Sequence, residues 1–304
     1  MNKDVYAALG QIVSKQDIYV NEQMSRHTTF RTGGPASLFL RPRTTEEIKG
    51  VLKLLKRAEV DFFILGNGSN LLVSDKGYDG VVISLSSFAD IQIEDETLIN
   101  AQAGAMNSAI ASVARDNRLA GFEFAAGIPG TIGGAMIMNA GAYGGEMKDI
   151  TRQVKVLTTD GEIIRLDNET MKFGYRTSAI KGKNFVVLSA LLELKKGNKE
   201  EISAQMQELA LKRKEKQPLE YPSAGSTFKR PEGYFAGKLI EDSGLRGFSV
   251  GDAAVSEKHC GFVINKGKAT STDIYELIKR VQDKVYEDAG VKLEPEVIML
   301  GDFD

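Results

Sequence analysis

A chain of 304 residues that is 42% hydrophobic and 26% charged carries enough apolar material for a large buried core and for two or three packed units. Its net charge of −2 is spread over interspersed acidic and basic residues, which argues against a nucleic-acid or anionic-membrane partner; Lys212-Arg213-Lys214, the densest basic run, reads as a solvated helix end. The first ten residues lack a signal-peptide core and no apolar stretch approaches membrane-spanning length, so the expected location is the cytoplasm, with no membrane insertion.

The single cysteine, Cys260, rules out an intrachain disulfide and any cysteine-based zinc site, and the two histidines, His27 and His259, argue against a conventional metal site. Thr44-Thr45-Glu46-Glu47 has the form of a capping box, and Ile48, Val51, Leu52 and Leu55 recur on one face, predicting an amphipathic helix over 45–58. Phe62-Phe63-Ile64-Leu65 reads as a strand and runs into Gly66-Asn67-Gly68-Ser69-Asn70, then Leu71-Leu72-Val73. A strand ending in small residues exposes several N–H groups beside the Ser69 hydroxyl and the Asn70 amide, an arrangement suited to a pyrophosphate. A hairpin turn accounts for the same residues equally well. No long helix follows, so the loop is not the dinucleotide fingerprint.

A strand over 81–85 and a capped helix after Asn107, carrying Ile110 and Val113, lead to the glycine-rich run from Gly121 to Glu146. Eight glycines lie there between apolar residues, a composition expected to make neither an ordinary helix nor an ordinary strand. Bare backbone of this kind suits a cradle for a large phosphate-bearing cofactor, with a set of tight turns as the alternative.

Beyond it, Val154-Lys155-Val156-Leu157 and Ile163-Ile164-Arg165-Leu166 flank a turn around Asp160-Gly161 and read as a hairpin. A strand over 185–194 precedes the polar stretch 195–199, which reads as a loop and a domain boundary. Helix 200–216 follows, with Ile202, Met206, Leu209 and Arg213 on one face; the arginine there is read equally as snorkelling from a buried face. A short helix at 236–242, a strand near Phe262-Val263-Ile264 and a helix from Ser271 to Ala289, stopped by Gly290, complete the chain. The expected division is 1–84 and 85–198 as two parts of a cofactor region and 199–304 as a substrate domain.

The two glycine loops, in this order and spacing, resemble the FAD-binding region of vanillyl-alcohol oxidase-like (PCMH-type) flavoproteins. Four further segments resemble the signatures of the UDP-N-acetylenolpyruvoylglucosamine reductase (UDP-N-acetylmuramate dehydrogenase) family: His27-Thr28-Thr29-Phe30-Arg31-Thr32-Gly33-Gly34, Phe173-Gly174-Tyr175-Arg176-Thr177-Ser178, Pro222-Ser223-Ala224-Gly225-Ser226-Thr227-Phe228 and Leu293-Glu294-Pro295-Glu296-Val297. The resemblance runs from about residue 20 to the end. It implies an α+β fold with a two-part FAD-binding region and a smaller C-terminal α+β substrate domain. The implied activity is that of an NADPH-dependent oxidoreductase with non-covalent FAD, reducing a UDP-sugar enolpyruvate to UDP-N-acetylmuramate for peptidoglycan and cell-wall synthesis, with no obligate protein partner.

By motif, the resemblance places Leu65, Gly66, Asn67, Gly68, Ser69, Asn70 and Leu71 at the FAD pyrophosphate, and Pro129, Thr131, Gly134, Gly141 and Tyr143 in the second cradle. It assigns catalytic roles to Arg176, Ser226 and Glu296 and substrate contacts to Tyr175, Arg213 and Arg230. Hydride addition to the β-carbon of an enol ether conjugated to a carboxylate builds charge on that carboxylate, and the α-carbon then needs a proton. A guanidinium such as that of Arg176 suits the first need, and the Ser226 hydroxyl, helped by a neighbouring cation, suits the second. Without the resemblance, Ser226 reads as a turn residue and Arg176 as a surface charge. Spacing does not separate Glu294 from Glu296, which face the same way in an extended segment; the family motif favours Glu296. Between Arg176 and Ser226 the only tyrosine is Tyr221, so the chain resembles the second type of this reductase, without a tyrosine-bearing closing loop. A flavin oxidase of the same cofactor fold, with His27, His259 or Cys260 as a tether, and a non-catalytic nucleotide-binding protein are the rival readings.

Overall fold

The computed structural model describes residues 3–304; Met1 and Asn2, where the first expected domain begins, lie outside them. The chain forms two compact units. The first holds residues 3–19, Phe39–Asn67 and Gly80–Lys212, the second Val20–Leu38, Gly68–Asp79 and Arg213–Asp304.

In the first unit the centre is a five-stranded antiparallel sheet in the order Ile163–Asp167, Thr151–Leu157, Val186–Glu193, Leu98–Gln102, Ile91–Asp95. The expected hairpin forms, with Val154 opposite Leu166 and Leu157 opposite Ile163. Strand Val186–Glu193 lies in the middle and buries Val186, Val187, Leu188, Ala190 and Leu192. Helix Thr45–Arg57 starts as its sequence dictates: the Thr44 hydroxyl accepts from the Glu47 N–H at 3.1 Å, and Ile48, Val51, Leu52 and Leu55 are buried. Strand Phe62–Leu65 pairs in parallel with residues 81–84.

Three local expectations give way. Asn107 is the first residue of helix Asn107–Asp116 and not its cap; Met106 stands at the cap position without a side-chain bond. The buried face of that helix is Asn107, Ile110, Ala111 and Ala114, so Val113 is turned partly outward. The stretch expected as a loop contains a two-residue strand, Lys195–Lys196, paired with Leu119–Ala120.

The third concerns the glycine run, which does contain a helix, Ile132–Met138. Close packing explains it. A Cβ on Gly133 would lie 2.9 Å from both the Cβ and the carbonyl oxygen of Ala103, so glycine lets the helix approach that backbone and outweighs its poor helix propensity. The Gly133 N–H donates to Ala103 O and the Ile132 N–H to Ala105 O, both at 2.9 Å.

The second unit packs helix Ser271–Ala289 on a three-stranded antiparallel sheet, Ser249–Val250, Ala253–Val255 and Val263–Asn265. Ile274, Leu277, Ile278, Val281 and Val285 are fully buried, each contributing roughly 1.5–3 kcal/mol of transfer free energy. A Thr270–Asp273 capping box opens the helix and Gly290, in the left-handed region, closes it as expected. Leu71–Val73 pairs in parallel with Ile298–Leu300, joining the loop that follows the first glycine motif to the C-terminal strand. Among the described residues no helix is long and apolar enough to cross a membrane.

Candidate active site

Within the first unit the fold brings Gly66, at the start of the first expected cofactor loop, to the second loop. Gly66, at the end of strand Phe62–Leu65, lies against Thr131, whose Oγ1 would be 2.6 Å from a Cβ at Gly66. One helical turn past Thr131, Gly134 is exposed, and a Cβ there would find only the Thr131 hydroxyl, at 3.9 Å. Protein packing therefore explains the glycine at 133 but not the one at 134. Bare backbone is left exposed at Gly134, beside the buried Thr131, where a flat or phosphate-bearing ligand could approach it. Leu65 is buried, Asn67 and Pro129 are exposed at the loop tips.

Gly141–Ala142 and Gly145–Glu146 form a small hairpin whose two-residue turn, Tyr143-Gly144, has positive φ at both positions, +52° and +87°. A turn of that hand suits the strand twist, and it presents the Tyr143 ring, 47% exposed. Gly141 is required by the hairpin itself, since a Cβ would meet Gly145 O at 2.7 Å.

Arg176 and Tyr175 sit at the tip of a tighter hairpin, closed between Gly174 and Thr177, with the guanidinium carbon 5.1 Å from the Tyr175 ring centre. Nearby, Glu146 is held below the usual carboxylate range, first by its hydrogen bond with the Lys148 ammonium and further by Asn139 and the charges of Lys148 and Arg176.

In the second unit the remaining catalytic candidates meet on one backbone ladder. Ser226 follows Gly225, which has φ +77°, and is exposed. Its neighbour Thr227 is fully buried: its carbonyl accepts from the Glu296 N–H at 2.8 Å, its N–H donates to Gly261 O at 2.9 Å and its hydroxyl accepts from the Val263 N–H at 2.9 Å. Phe228 bridges Pro295, and the Lys229 N–H donates to Glu294 O. The segments that carry Ser226 and Glu296 are thus paired through Thr227, Phe228 and Lys229.

The two carboxylates that spacing does not separate differ in their surroundings. The Glu294 carboxylate is exposed and bonded to the Lys229 ammonium at 2.7 Å, which lowers its pKa, whereas Glu296 is half-buried.

Two links escape sequence reasoning. The Asn70 side chain, grouped with the pyrophosphate loop, donates to the backbone carbonyl of Glu296 at 3.0 Å, and the Ile298 N–H donates to Asn70 O at 3.0 Å. Gly68 is demanded by the protein as well: at φ +59° a Cβ would lie 1.9 Å from His27 O. Neither contact has a local signal, because each joins segments far apart in the chain. Ser69 shares a turn with Asn70, and Leu71, which opens the strand Leu71–Val73, is buried.

Arg230 is exposed with its guanidinium 4.0 Å from the Phe235 ring centre, and Arg213 is half-buried near the end of helix Lys199–Lys216. The tether candidates are occupied or enclosed. His27 Nε2 lies 2.9 Å from a Glu22 carboxylate oxygen, Cys260 is 5% exposed with its thiol pKa raised by burial, and burial lowers that of His259.

Residues 36–167 match the family of the FAD binding domain, and residues 217–300 match that of the UDP-N-acetylenolpyruvoylglucosamine reductase C-terminal domain. The chain is 53% identical over 302 residues to a UDP-N-acetylenolpyruvoylglucosamine reductase of Clostridioides difficile, covering 99% of each chain. Among solved structures, the UDP-N-acetylenolpyruvylglucosamine reductase of Thermus caldophilus is 37% identical with a TM-score of 0.80, over 93% of this chain and 100% of that one. p-Cresol methylhydroxylase, at 13% identity and a TM-score of 0.50 over 96% of this chain and 65% of that one, shares the fold alone. The expected vanillyl-alcohol oxidase-like α+β architecture therefore holds, and the chain belongs to the UDP-N-acetylenolpyruvoylglucosamine reductase family.

Proposed function

We propose that this chain reduces the enolpyruvyl group of UDP-N-acetylglucosamine enolpyruvate to give UDP-N-acetylmuramate for peptidoglycan synthesis in the cytoplasm, with FAD bound non-covalently and NADPH as reductant. The FAD supplies the hydride. Leu65 to Leu71, with Pro129, Thr131, Gly134, Gly141 and Tyr143, hold it, and we keep 1–84 and 85–198 as the flavin region and 199–304 as the substrate region.

The residues of the chain do the rest. Arg176 offers two parallel N–H donors to the substrate carboxylate as negative charge builds there. Ser226 donates its hydroxyl proton to the α-carbon, and Glu296 stabilises the intermediate. Tyr175, Arg213 and Arg230 contact the substrate. The observation that supports this reading is the backbone ladder that ties Thr227 and Lys229, just after Ser226, to Glu296 and Glu294.

Anaerobic mixing with NADPH, followed by re-oxidation with the enolpyruvyl substrate, tests it: reduction without re-oxidation by that substrate would exclude the reaction. The protein should purify yellow and release all its colour into the supernatant on acid precipitation, because the buried Cys260 thiol and the engaged His27 offer no tether. Colour in the pellet would show a covalent bond.

Gly134→Val should fold normally, since the position is exposed and an added Cβ meets only the Thr131 hydroxyl, at 3.9 Å, yet lose most of its flavin. An unchanged thermal midpoint with flavin absorbance at the wild-type ratio would place the cofactor elsewhere.

A further inference from the structure

Arg176 has φ +54°, left-handed backbone that a residue with a Cβ adopts at a cost and keeps where its surroundings over-determine it. The hairpin closes itself weakly, with the Gly174 N–H on Thr177 O at 3.1 Å and the Thr177 N–H on Gly174 O at 3.3 Å. Three bonds from outside reinforce it. Asn139 Nδ2 donates to Gly174 O at 3.1 Å, Lys181 Nζ donates to Arg176 O at 2.9 Å, and the Ser178 hydroxyl donates to Ile137 O at 2.8 Å.

Asn139 is fully buried and itself left-handed, φ +43°, as the C-cap of helix Ile132–Met138. Its Nδ2 also donates to Glu146 Oε2 at 3.0 Å, and its Oδ1 accepts from the Lys148 N–H at 2.9 Å. The amide is thereby fixed from three sides, and with it the carbonyl on which the hairpin rests.

We propose that Asn139 and Lys181 are positioning residues for Arg176, pinning the backbone carbonyls on either side of the Tyr175-Arg176 tip so that the guanidinium meets the substrate carboxylate in one orientation. The inference rests on the carboxylate-binding role of Arg176. It also ties the helix that carries Gly134 to the hairpin that carries the guanidinium, because the Asn139 and Ile137 contacts both come from the end of that helix.

The test uses the flavin-loaded full chain as Asn139→Gly, which keeps the left-handed backbone, Lys181→Met, Arg176→Ala and the two double variants, with FAD content and thermal midpoint recorded for each. Asn139→Gly should slow re-oxidation by the enolpyruvyl substrate about ten- to fifty-fold, the scale of a small misalignment, while reduction by NADPH changes by less than about twofold. In the Arg176→Ala background the same substitution should cost nothing further.

Equal slowing of both half-reactions, or the same factor with and without Arg176, would make Asn139 a purely structural residue and overturn the proposal. Should Asn139→Gly fail to hold flavin, Lys181→Met decides: a several-fold loss in re-oxidation that vanishes without Arg176 supports the proposal, and a wild-type rate overturns it. A wild-type rate in Arg176→Ala removes the role of Arg176 and the proposal with it. A slow Arg176→Ala beside a silent Asn139→Gly rejects the positioning alone.

Discussion

Ser226→Ala should leave reduction by NADPH nearly intact and slow re-oxidation by the enolpyruvyl substrate roughly a hundred-fold or more, the usual scale for loss of a general acid. The structure makes the substitution clean. Ser226 is exposed after Gly225, and the backbone is held by Thr227, through its carbonyl, its N–H and its hydroxyl, none of which the change touches. Thermal stability should therefore stay at the wild-type value. Ser226→Cys, which keeps a proton donor on the same carbon, should recover part of the rate. Rapid mixing separates the two half-reactions, and equal slowing of both in Ser226→Ala would mean that the serine serves the fold and not the proton.

What was legible in the chain follows the range of the interactions involved. Helix Ser271–Ala289 could be read because its apolar stripe and terminal glycine lie within one local segment. The hairpin around Asp160-Gly161 was readable for the same reason. Helix Ile132–Met138 was not, since its glycines argue locally against a helix, and the reason for Gly133, the Ala103 backbone beside it, lies some thirty residues away.

The active-site residues show the same split. Arg176, Ser226 and Glu296 could be nominated from their motifs. What holds them could not: Asn70 on the Glu296 carbonyl, Thr227 on the Glu296 N–H, and Asn139 on Gly174 are contacts between distant segments without a periodic or compositional trace. Asn139 had one faint local mark, an asparagine with Ala-Gly after an apolar turn, which is where a left-handed helix cap is expected.

The paired carboxylates near the C-terminus give the other large expected effect. Glu296→Gln should impair re-oxidation by the substrate strongly, because it removes the half-buried carboxylate charge assigned to the intermediate while keeping shape and hydrogen-bonding capacity. Glu294→Gln should do little. That carboxylate is exposed and paired with Lys229, and an ion pair in solvent contributes little to either stability or chemistry. Arg176→Lys should fall with Glu296→Gln, since an ammonium keeps the charge but loses the planar fork that matches a carboxylate. All three are compared at saturating substrate with FAD content verified, so that a loss of flavin is not mistaken for a loss of chemistry. A larger deficit for Glu294→Gln than for Glu296→Gln would reverse the assignment of the pair. Wild-type re-oxidation in all three would remove both the guanidinium and the carboxylates from the reaction, leaving Ser226 to be explained without them.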